Sequence, residues 1–336
     1  MLTLGMMVGA CGSMAAADES AAPVPLRLGY FPNVTHGTAI VGVEEKIFEQ
    51  ALGDSATFET ATFNAGTDAI EALFTGAIDA TYIGPNPAIN AFARSEGRAI
   101  RIIAGATSGG AALVVQPDIG SAADLAGTTL GSPALGNTQD VALRAWLAEQ
   151  GYATDLEGGG DVTIMPQANG VILDAFTAGT LDGAWVPEPW ATRMVDQGGG
   201  HVLVDERDLW PGGRFVTTHL IVSTSYLEAH PEVIKALLAG HVQATAYVND
   251  DTERAQRTVG AAIEALTGTQ LPAGTLQRAW ENLSFTVDPI ASSLTKSAKD
   301  AEAIGLLEPV DLEGIYALEP LNEILRTTGA EPVPDR

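Results

Sequence analysis

The sequence contains little cysteine and little positive charge. One cysteine, Cys11, occurs among 336 residues, and 17 Lys and Arg stand against 42 Asp and Glu, for a net charge of −25. A lone cysteine excludes an intrachain disulfide and a Cys-based zinc site. A strongly negative protein repels phosphate backbones and anionic lipid headgroups, so we expect no nucleic-acid partner.

Long apolar runs are also missing, since no uninterrupted stretch after the first residues is long enough to span a bilayer. The hydrophobic content is nevertheless 46% with 18% charged residues, which is typical of a folded globular chain. At 336 residues the chain can form two domains of ordinary size, each with its own core.

The surroundings of Cys11 predict a lipid anchor. Weakly apolar residues 1–8 lead into Val8-Gly9-Ala10-Cys11, which resembles the lipobox of bacterial lipoproteins, where the cysteine thiol receives a diacylglycerol group. The leader has no Lys or Arg, which leaves the translation start open, and a chance cysteine is the alternative. We therefore expect residues 1–25 to be a lipoprotein signal and tether that holds an extracytoplasmic protein on the cell membrane.

Apolar runs typical of strands alternate with helical stretches from Leu26 to Val222, and this pattern predicts an α/β fold with largely parallel sheets. Within it, Thr38–Glu49 is predicted as one helix. After Val222 the pattern is helical throughout and begins with a long helix over Ser225–Asn249.

Two segments repeat one pattern. Gly76–Ile83 and Gly179–Val186 both read Gly-x-aliphatic-Asp-small-small-aromatic-aliphatic, and in both a proline follows before the next helix. The pattern predicts a helix that ends at glycine and then a short buried strand whose carboxyl end leads into a helix N-terminus. Because ligands bind at the carboxyl ends of strands in α/β sheets, two such loops from two lobes are expected to face each other across a cleft.

Several further stretches resemble the substrate-binding proteins of ABC importers, in the branch that takes nitrate, taurine and aliphatic sulfonates. The stretches that carry the resemblance run, in chain order, Leu28-Gly29-Tyr30-Phe31-Pro32-Asn33, Asn64-Ala65-Gly66, Tyr82-Ile83-Gly84-Pro85-Asn86-Pro87, Gly136-Asn137-Thr138-Gln139-Asp140 and Gly183-Ala184-Trp185-Val186-Pro187-Glu188-Pro189-Trp190. The resemblance covers about Leu26 to Asn249.

The resemblance implies the periplasmic-binding-protein type II fold, with two similar α/β lobes, a hinge, and a ligand cleft between the lobes. Residues 26–108 and 219–336 would form lobe 1, which also carries the extra C-terminal helices, and residues 109–218 would form lobe 2. A monomer that delivers its ligand to the permease of an ABC importer is expected, without cofactor or metal.

The site is expected at strand ends and helix N-termini, where backbone N–H groups and the helix dipole favour an anion. The candidate ligand-binding residues are Asn33, Thr35, His36, Gly84, Asn86, Ser108, Gly136, Asn137, Thr138, Gln139, Trp185, Glu188 and Thr218. Helix capping is the alternative for Asn33, Thr35, Asn86 and Thr138, and a core position is the alternative for Trp185.

Glu188 bears on the ligand, because a carboxylate at the cleft would repel a simple oxyanion and attract an ammonium group. This favours taurine or an alkanesulfonate, unless Glu188 caps its own helix. Receptors for nitrate or for a thiamine-precursor pyrimidine remain alternatives, as does an enzyme of the thiamine-pyrimidine-synthase type on the same scaffold. That enzyme would need a Schiff-base lysine, and the lysines lie outside the proposed cleft loops. The effector half of a transcription regulator is disfavoured, since no basic recognition helix is found.

Overall fold

Apolar, β-branched runs form two separate sheets in residues 23–334, the part of the chain that the computed structural model describes. The strands are β1 (Val24–Tyr30), β2 (Ala56–Thr62), β3 (Ala80–Ile83), β4 (Ile100–Gly109), β5 (Ala111–Val115), β6 (Thr129–Ser132), β7 (Thr163–Pro166), β8 (Gly183–Pro187), β9 (His201–Asp205), β10 (Val216–Ser223) and β11 (Leu283–Phe285). The strand orders are β11-β4-β10-β3-β1-β2 and β7-β6-β8-β5-β9. We call the part that carries the first sheet lobe 1 (23–109 and 216–334) and the part that carries the second lobe 2 (111–205).

Helices cover both sheets. They are α1 (Gly37–Glu44), α2 (Ile47–Leu52), α3 (Gly66–Phe74), α4 (Pro85–Arg94), α5 (Thr138–Glu149), α6 (Asn169–Thr177), α7 (Trp190–Gly198), α8 (Thr224–Ala229), α9 (Pro231–Asp250), α10 (Thr252–Thr267), α11 (Ala273–Glu281), α12 (Ala291–Ala303) and α13 (Glu319–Thr328). The predicted α/β class with two lobes is confirmed, and α9 packs on α1 and α2, so the C-terminal helices do lie on lobe 1. None of the helices in residues 23–334 has the length and apolar character needed to cross a bilayer.

The predicted lipidation at Cys11 lies outside the described residues, as does most of the predicted tether. The last residues of that tether belong to the fold, because β1 begins at Val24 and pairs with β2 from that residue onward.

The expectation of largely parallel sheets is wrong. Each sheet contains a parallel trio, β2-β1-β3 in lobe 1 and β7-β6-β8 in lobe 2, but β10 is antiparallel to β3 and β4, and β5 is antiparallel to β8 and β9. Both β5 and β10 are the first strands after the chain has crossed from the other lobe. They therefore enter their sheets from the side at which the parallel strands end.

The crossing from β4 to β5 is very short. Gly109 is the last residue of β4, and Gly110 alone separates it from β5. Both glycines have positive φ, 79° and 74°, a left-handed conformation that glycine adopts without strain. The return crossing uses residues 206–215 between β9 and β10. Two short crossings are what we expect of a hinge between lobes.

Two predicted long helices are divided. The Thr38–Glu49 helix is split into α1 and α2 at Lys46, whose φ is 56°. The Ser225–Asn249 helix is split into α8 and α9 at Pro231, which occupies the first turn of α9, where a missing N–H is tolerated.

The repeated sequence pattern has the same structural role in both lobes. Gly76 and Gly179 end α3 and α6 with a φ of 71° each. Asp79 then accepts a hydrogen bond from the backbone N–H of Arg27 in β1 (2.8 Å), and Asp182 accepts one from Thr129 in β6 (2.7 Å). The two aspartates thus lock β3 and β8 beside the first strand of each parallel trio, and both strands end at the cleft.

Candidate functional site

A small cleft lies between the lobes at the carboxyl ends of the parallel strands. It is lined by Phe31, Asn33, Thr35, His36, Asn64, Gly84, Pro133, Asn137, Thr138, Gln139, Asn169, Pro187, Thr217 and Thr218. Its volume is about 30 Å³, which is room for two or three water-sized groups at roughly 10–15 Å³ each. A larger hollow of about 960 Å³ beside α12 is formed by lobe 1 alone. A hollow of about 230 Å³ also lies between the lobes, but it is on the α11 side, where Glu188, Arg278 and Asn282 line it. The small cleft is the one that lies at the carboxyl ends of the parallel strands of both lobes.

The lobe 1 wall is the turn that follows β1. The carbonyl oxygen of Thr35 accepts hydrogen bonds from the hydroxyls of Thr107 (2.6 Å) and Thr218 (3.1 Å), which ties the turn to β4 and β10. Asn33 stands at the N-cap position of the short helix 34–36, but its side chain makes no capping hydrogen bond. Its amide is therefore not used to cap the helix.

His36 in this turn is uncharged. Burial lowers the pKa of its imidazole to about 3, and the ring stacks on Phe31 with 4.6 Å between centroids. Nδ1 accepts a hydrogen bond from the backbone N–H of Phe31 (3.3 Å), so the proton of the neutral ring is on Nε2. His36 thus presents a neutral N–H donor rather than a cation.

The lobe 2 wall is the N-terminus of α5. Asn137 is its N-cap residue and, like Asn33, makes no side-chain capping hydrogen bond. Thr138 is buried, and its Oγ1 has no hydrogen-bond partner among the described residues. Because first-turn N–H groups have no acceptor within a helix, this terminus offers backbone and side-chain donors to the cleft.

A buried ion pair holds the loop that leads into α5. Asp140 accepts hydrogen bonds from Ser132 Oγ (2.6 Å), from the N–H of Gly136 (2.9 Å) and from Arg144 Nε (3.1 Å). Arg144 also donates to the carbonyl of Asp155 (2.7 Å). The charges of the pair compensate each other behind the loop, so the cleft itself receives no net charge from it.

Asn169, the first residue of α6, was not among the sequence candidates. It is buried in the cleft wall, and its Oδ1 has no partner among the described residues. Its position after β7 and before a helix is the same strand-to-helix position that selected Asn33 and Asn137, and this signal would have identified it. Asn64 after β2 is a second lining residue of this kind.

Glu188 does not line the cleft, which corrects the expectation of a carboxylate facing the ligand. It lies on the far side of the β8 end and accepts hydrogen bonds from the N–H (3.1 Å) and hydroxyl (2.9 Å) of Thr192 and from Asn282 Nδ2 (2.7 Å). Burial raises the pKa of Glu188. Its neighbour Pro187 lines the cleft instead, because successive residues of a strand point to opposite faces.

Four other candidates also lie outside the cleft lining. The Asn86 amide donates to the carbonyl of Ser297 (3.2 Å) and so ties α4 to α12. Trp185 is a core residue that donates to Glu206 (2.8 Å). Ser108 pairs with β10 and β11 inside the first sheet, and Gly136 lines an outer hollow.

The cleft brings together Asn33, Thr35, His36, Gly84, Asn137, Thr138, Gln139 and Thr218 from the sequence candidates. Among residues 23–334, no Lys, Arg, Asp or Glu lines this cleft. A ligand held there meets neutral hydrogen-bonding groups and the N-termini of α4, α5 and α6, each of which carries roughly half a positive charge. This arrangement suits a small anionic group without a full counter-charge.

Comparison with known proteins finds a matching family model and similar binding proteins. Residues 19–263 match the family model described as the NMT1-like family. A Brucella abortus protein named as a binding protein is 26% identical over 230 residues, which are 68% of this chain and 66% of that protein. The taurine-binding periplasmic protein of Escherichia coli is 26% identical over 197 residues, 58% of each chain.

Among solved structures, the alkanesulfonate-binding protein of Xanthomonas axonopodis pv. citri bound to MOPS matches with a TM-score of 0.71 and 20% identity, over 86% of this chain and 96% of that chain. This likeness supports the two-lobe fold. The chain spans just under two thirds of the length of the Brucella relative.

Proposed function

The chain belongs to the NMT1-like family, and from this premise we propose that it is the extracytoplasmic solute-binding component of an ABC importer. In this proposal the cleft captures a small sulfonate or related oxyanion, and the closed protein delivers it to the permease. The taurine and alkanesulfonate specificities named for its relatives support this ligand class.

One observation carries the proposal. Asn33 and Asn137 occupy N-cap positions, yet neither side chain caps its helix, and the buried hydroxyl of Thr138 has no partner within residues 23–334. Asn at an N-cap normally accepts a hydrogen bond from its own helix, and buried polar atoms normally have partners. These uncapped amides and this unpartnered hydroxyl support a cleft in which a ligand completes the hydrogen bonds.

The neutral lining favours a simple alkanesulfonate over taurine. Glu188 is hydrogen-bonded to Thr192 and Asn282, and no carboxylate in the described part of the chain lines the cleft to meet an ammonium group. A sulfonate has three oxygen atoms that share one negative charge and accept hydrogen bonds. Neutral N–H and O–H donors can satisfy these oxygens without a buried cation. The closed cleft fits the head group, so the ligand must enter with the lobes apart.

A binding role fits this cleft better than enzymatic chemistry of the pyridoxal type. The chain has four lysines, Lys46, Lys235, Lys296 and Lys299, and none is among the cleft-lining residues. A Schiff base at this site would require one.

We further propose that the protein works as a monomer and is held at the outer face of the cell membrane by lipid on Cys11. The lipobox-like order Val8-Gly9-Ala10-Cys11 supports the anchor. Mass spectrometry of the protein from membranes would detect a diacylglycerol on Cys11, and an unmodified thiol would contradict this part of the proposal.

Calorimetric titration and thermal unfolding with methanesulfonate, taurine, nitrate and an aminopyrimidine test the ligand class. We expect methanesulfonate to bind and to raise the melting temperature, since a ligand at 100 times its Kd adds about 2.7 kcal/mol to stability. Preference for nitrate or the pyrimidine would select those alternatives, and no binding of any of the four would refute the proposal.

Two variants locate the site. Asn137→Ala and Thr138→Ala should each weaken methanesulfonate binding by about tenfold to a hundredfold, the worth of a hydrogen bond to a charged group. Thr60→Ala, on the exposed face of edge strand β2, is the matched control and should leave the affinity unchanged. Unchanged affinity in both cleft variants would place the anion elsewhere.

A further inference from the structure

Within the part of the chain that the structure describes, the side-chain hydrogen bonds between lobe 2 itself and lobe 1 come from the segment of residues 188–196. Arg207 and Arg214 of the return crossing also donate to lobe 1, at Asn282 and Asp288. Glu188 accepts from Asn282, and Asp196 accepts from Thr275 (2.6 Å) and pairs with Arg278. These contacts lie on the α11 side, away from the cleft. The remaining contact, from Trp190 Nε1 to Asn33 Oδ1 (3.0 Å), joins the segment to a residue of the cleft wall.

The Trp190 contact decides how the Asn33 amide is oriented. An indole N–H can only donate, so the Asn33 atom that faces it must be the carbonyl oxygen. The NH₂ group is then the end of the amide that does not contact Trp190. Two backbone hydrogen bonds hold Asn33 in its turn, from its N–H to the carbonyl of Phe31 (2.8 Å) and from the N–H of His36 to its own carbonyl (2.9 Å). Because the backbone is fixed in this way, the amide can change orientation only by rotation about the side-chain torsions.

We propose that Trp190 is a positioning residue for ligand capture, which on lobe closure orients the Asn33 amide so that its NH₂ group is offered to an oxygen of the bound anion. The inference rests on the proposed function, because it concerns the same cleft. It links closure to recognition, since the donor is set only when α7 has reached the turn after β1. Trp190 is held for this role by Arg193, whose guanidinium lies 4.6 Å from its ring centroid.

The decisive variants separate amide orientation from simple contact between the lobes. Trp190→Phe keeps an aromatic ring but removes the N–H, and it should weaken methanesulfonate binding by about five- to tenfold. Asn33→Asp still accepts from Trp190, so the lobe contact remains, but it presents a carboxylate oxygen where the NH₂ group was. At pH 8 it should weaken methanesulfonate by more than Asn33→Ala does and weaken taurine less, because taurine carries an ammonium group.

A double-mutant cycle tests whether Trp190 acts through Asn33. In the Asn33→Ala background, Trp190→Phe should cause little further loss, because the group that it positions is gone. Trp146→Phe, in the core of lobe 2, is the matched control and should leave affinity unchanged. Equal losses from Trp190→Phe in both backgrounds, or an Asn33→Asp variant that binds methanesulfonate like wild type, would overturn the proposal.

A ligand-free measurement keeps the two proposals distinguishable. The five tryptophans give five indole N–H signals in NMR, and Trp190→Phe assigns the relevant one. Asn33→Ala should shift that signal and speed its hydrogen exchange, whereas an unchanged signal would refute the role of Trp190. If the signal responds but none of the four ligands binds the wild-type protein, the proposed function fails while the cross-lobe contact stands.

Discussion

Gly84→Ala is the sharpest single test of the closed cleft. Gly84 has φ −70° and ψ 160°, a conformation that alanine adopts without strain, so the substitution does not disturb the backbone. A Cβ there would lie 2.4 Å from Thr138 Oγ1 and 3.4 Å from Thr138 Cβ. The clash therefore arises across the cleft, between α4 of lobe 1 and α5 of lobe 2.

The size of the effect follows from this geometry. The added methyl stands about 1 Å closer to the hydroxyl than ordinary van der Waals contact allows. Either the hydroxyl of Thr138 rotates away or the lobes stay slightly apart, and both outcomes remove that hydroxyl from the ligand. A hydrogen bond to a charged group contributes about 1.5–3 kcal/mol, so we expect methanesulfonate affinity to fall by roughly tenfold to 150-fold. The unliganded protein should lose little stability, since separating the lobes relieves the clash.

The assay is calorimetry on four proteins: wild type, Gly84→Ala, Thr138→Ala and the double variant. Thr138→Ala removes the clashing oxygen, so in that background Gly84→Ala should have a small additional effect. Equal losses from Gly84→Ala with and without the Thr138 hydroxyl would refute the reasoning, as would a large drop in the melting temperature of the unliganded Gly84→Ala protein.

Three other substitutions test the surroundings of the cleft. Arg144→Met leaves the fully buried Asp140 carboxylate without its ion-pair partner, so urea unfolding should show a free energy of unfolding lower by about 3–5 kcal/mol. The control Arg94→Met breaks an exposed pair with Glu71 and should cost under about 1 kcal/mol. Similar losses in the two variants would contradict the stabilising role of the buried pair. Glu188→Gln should change taurine and methanesulfonate affinities by the same factor, and selective weakening of taurine would return Glu188 to the ligand site. Burial raises the pKa of Glu206 to about 7 from 4.5. Between these pH values the folded state binds more protons than the unfolded state, so the free energy of unfolding of the wild type falls as the pH rises through them. The stability of Glu206→Gln relative to wild type should therefore increase from pH 5 to pH 8, by up to about 3 kcal/mol, and parallel pH curves in urea unfolding would contradict this.

Much of the fold could be predicted from the sequence because its signals are local. Strand-forming runs and helix starts depend on residues near one another, and the repeated pattern around Asp79 and Asp182 placed equivalent strands in both lobes. Strand direction was harder, since β5 and β10 run against their neighbours only because the chain enters each sheet from the other lobe. That is a property of the chain path rather than of any local segment.

The cleft residues likewise divide into those that a local sequence pattern predicts and those that it does not. The strand-to-helix position predicted Asn33, Asn137 and Thr138, because the end of a strand and the start of a helix are both visible in the sequence. It did not determine whether Pro187 or Glu188 would face the cleft, since adjacent residues at a strand end point in opposite directions and the twist of the assembled sheet decides between them.

The amino-acid sequence by itself determined the α/β class, the resemblance to ABC solute receptors, and an acidic composition with a net charge of −25. Only the tertiary structure decided that the cleft lining, within residues 23–334, is free of charged side chains, because composition carries no information about position. It gathered neutral side chains and helix N-termini from both lobes into one cleft, it turned Glu188 toward Asn282, and it brought Trp190 to Asn33 across 157 residues of chain. Contacts of that range depend on how the two lobes close on each other, which no local pattern encodes.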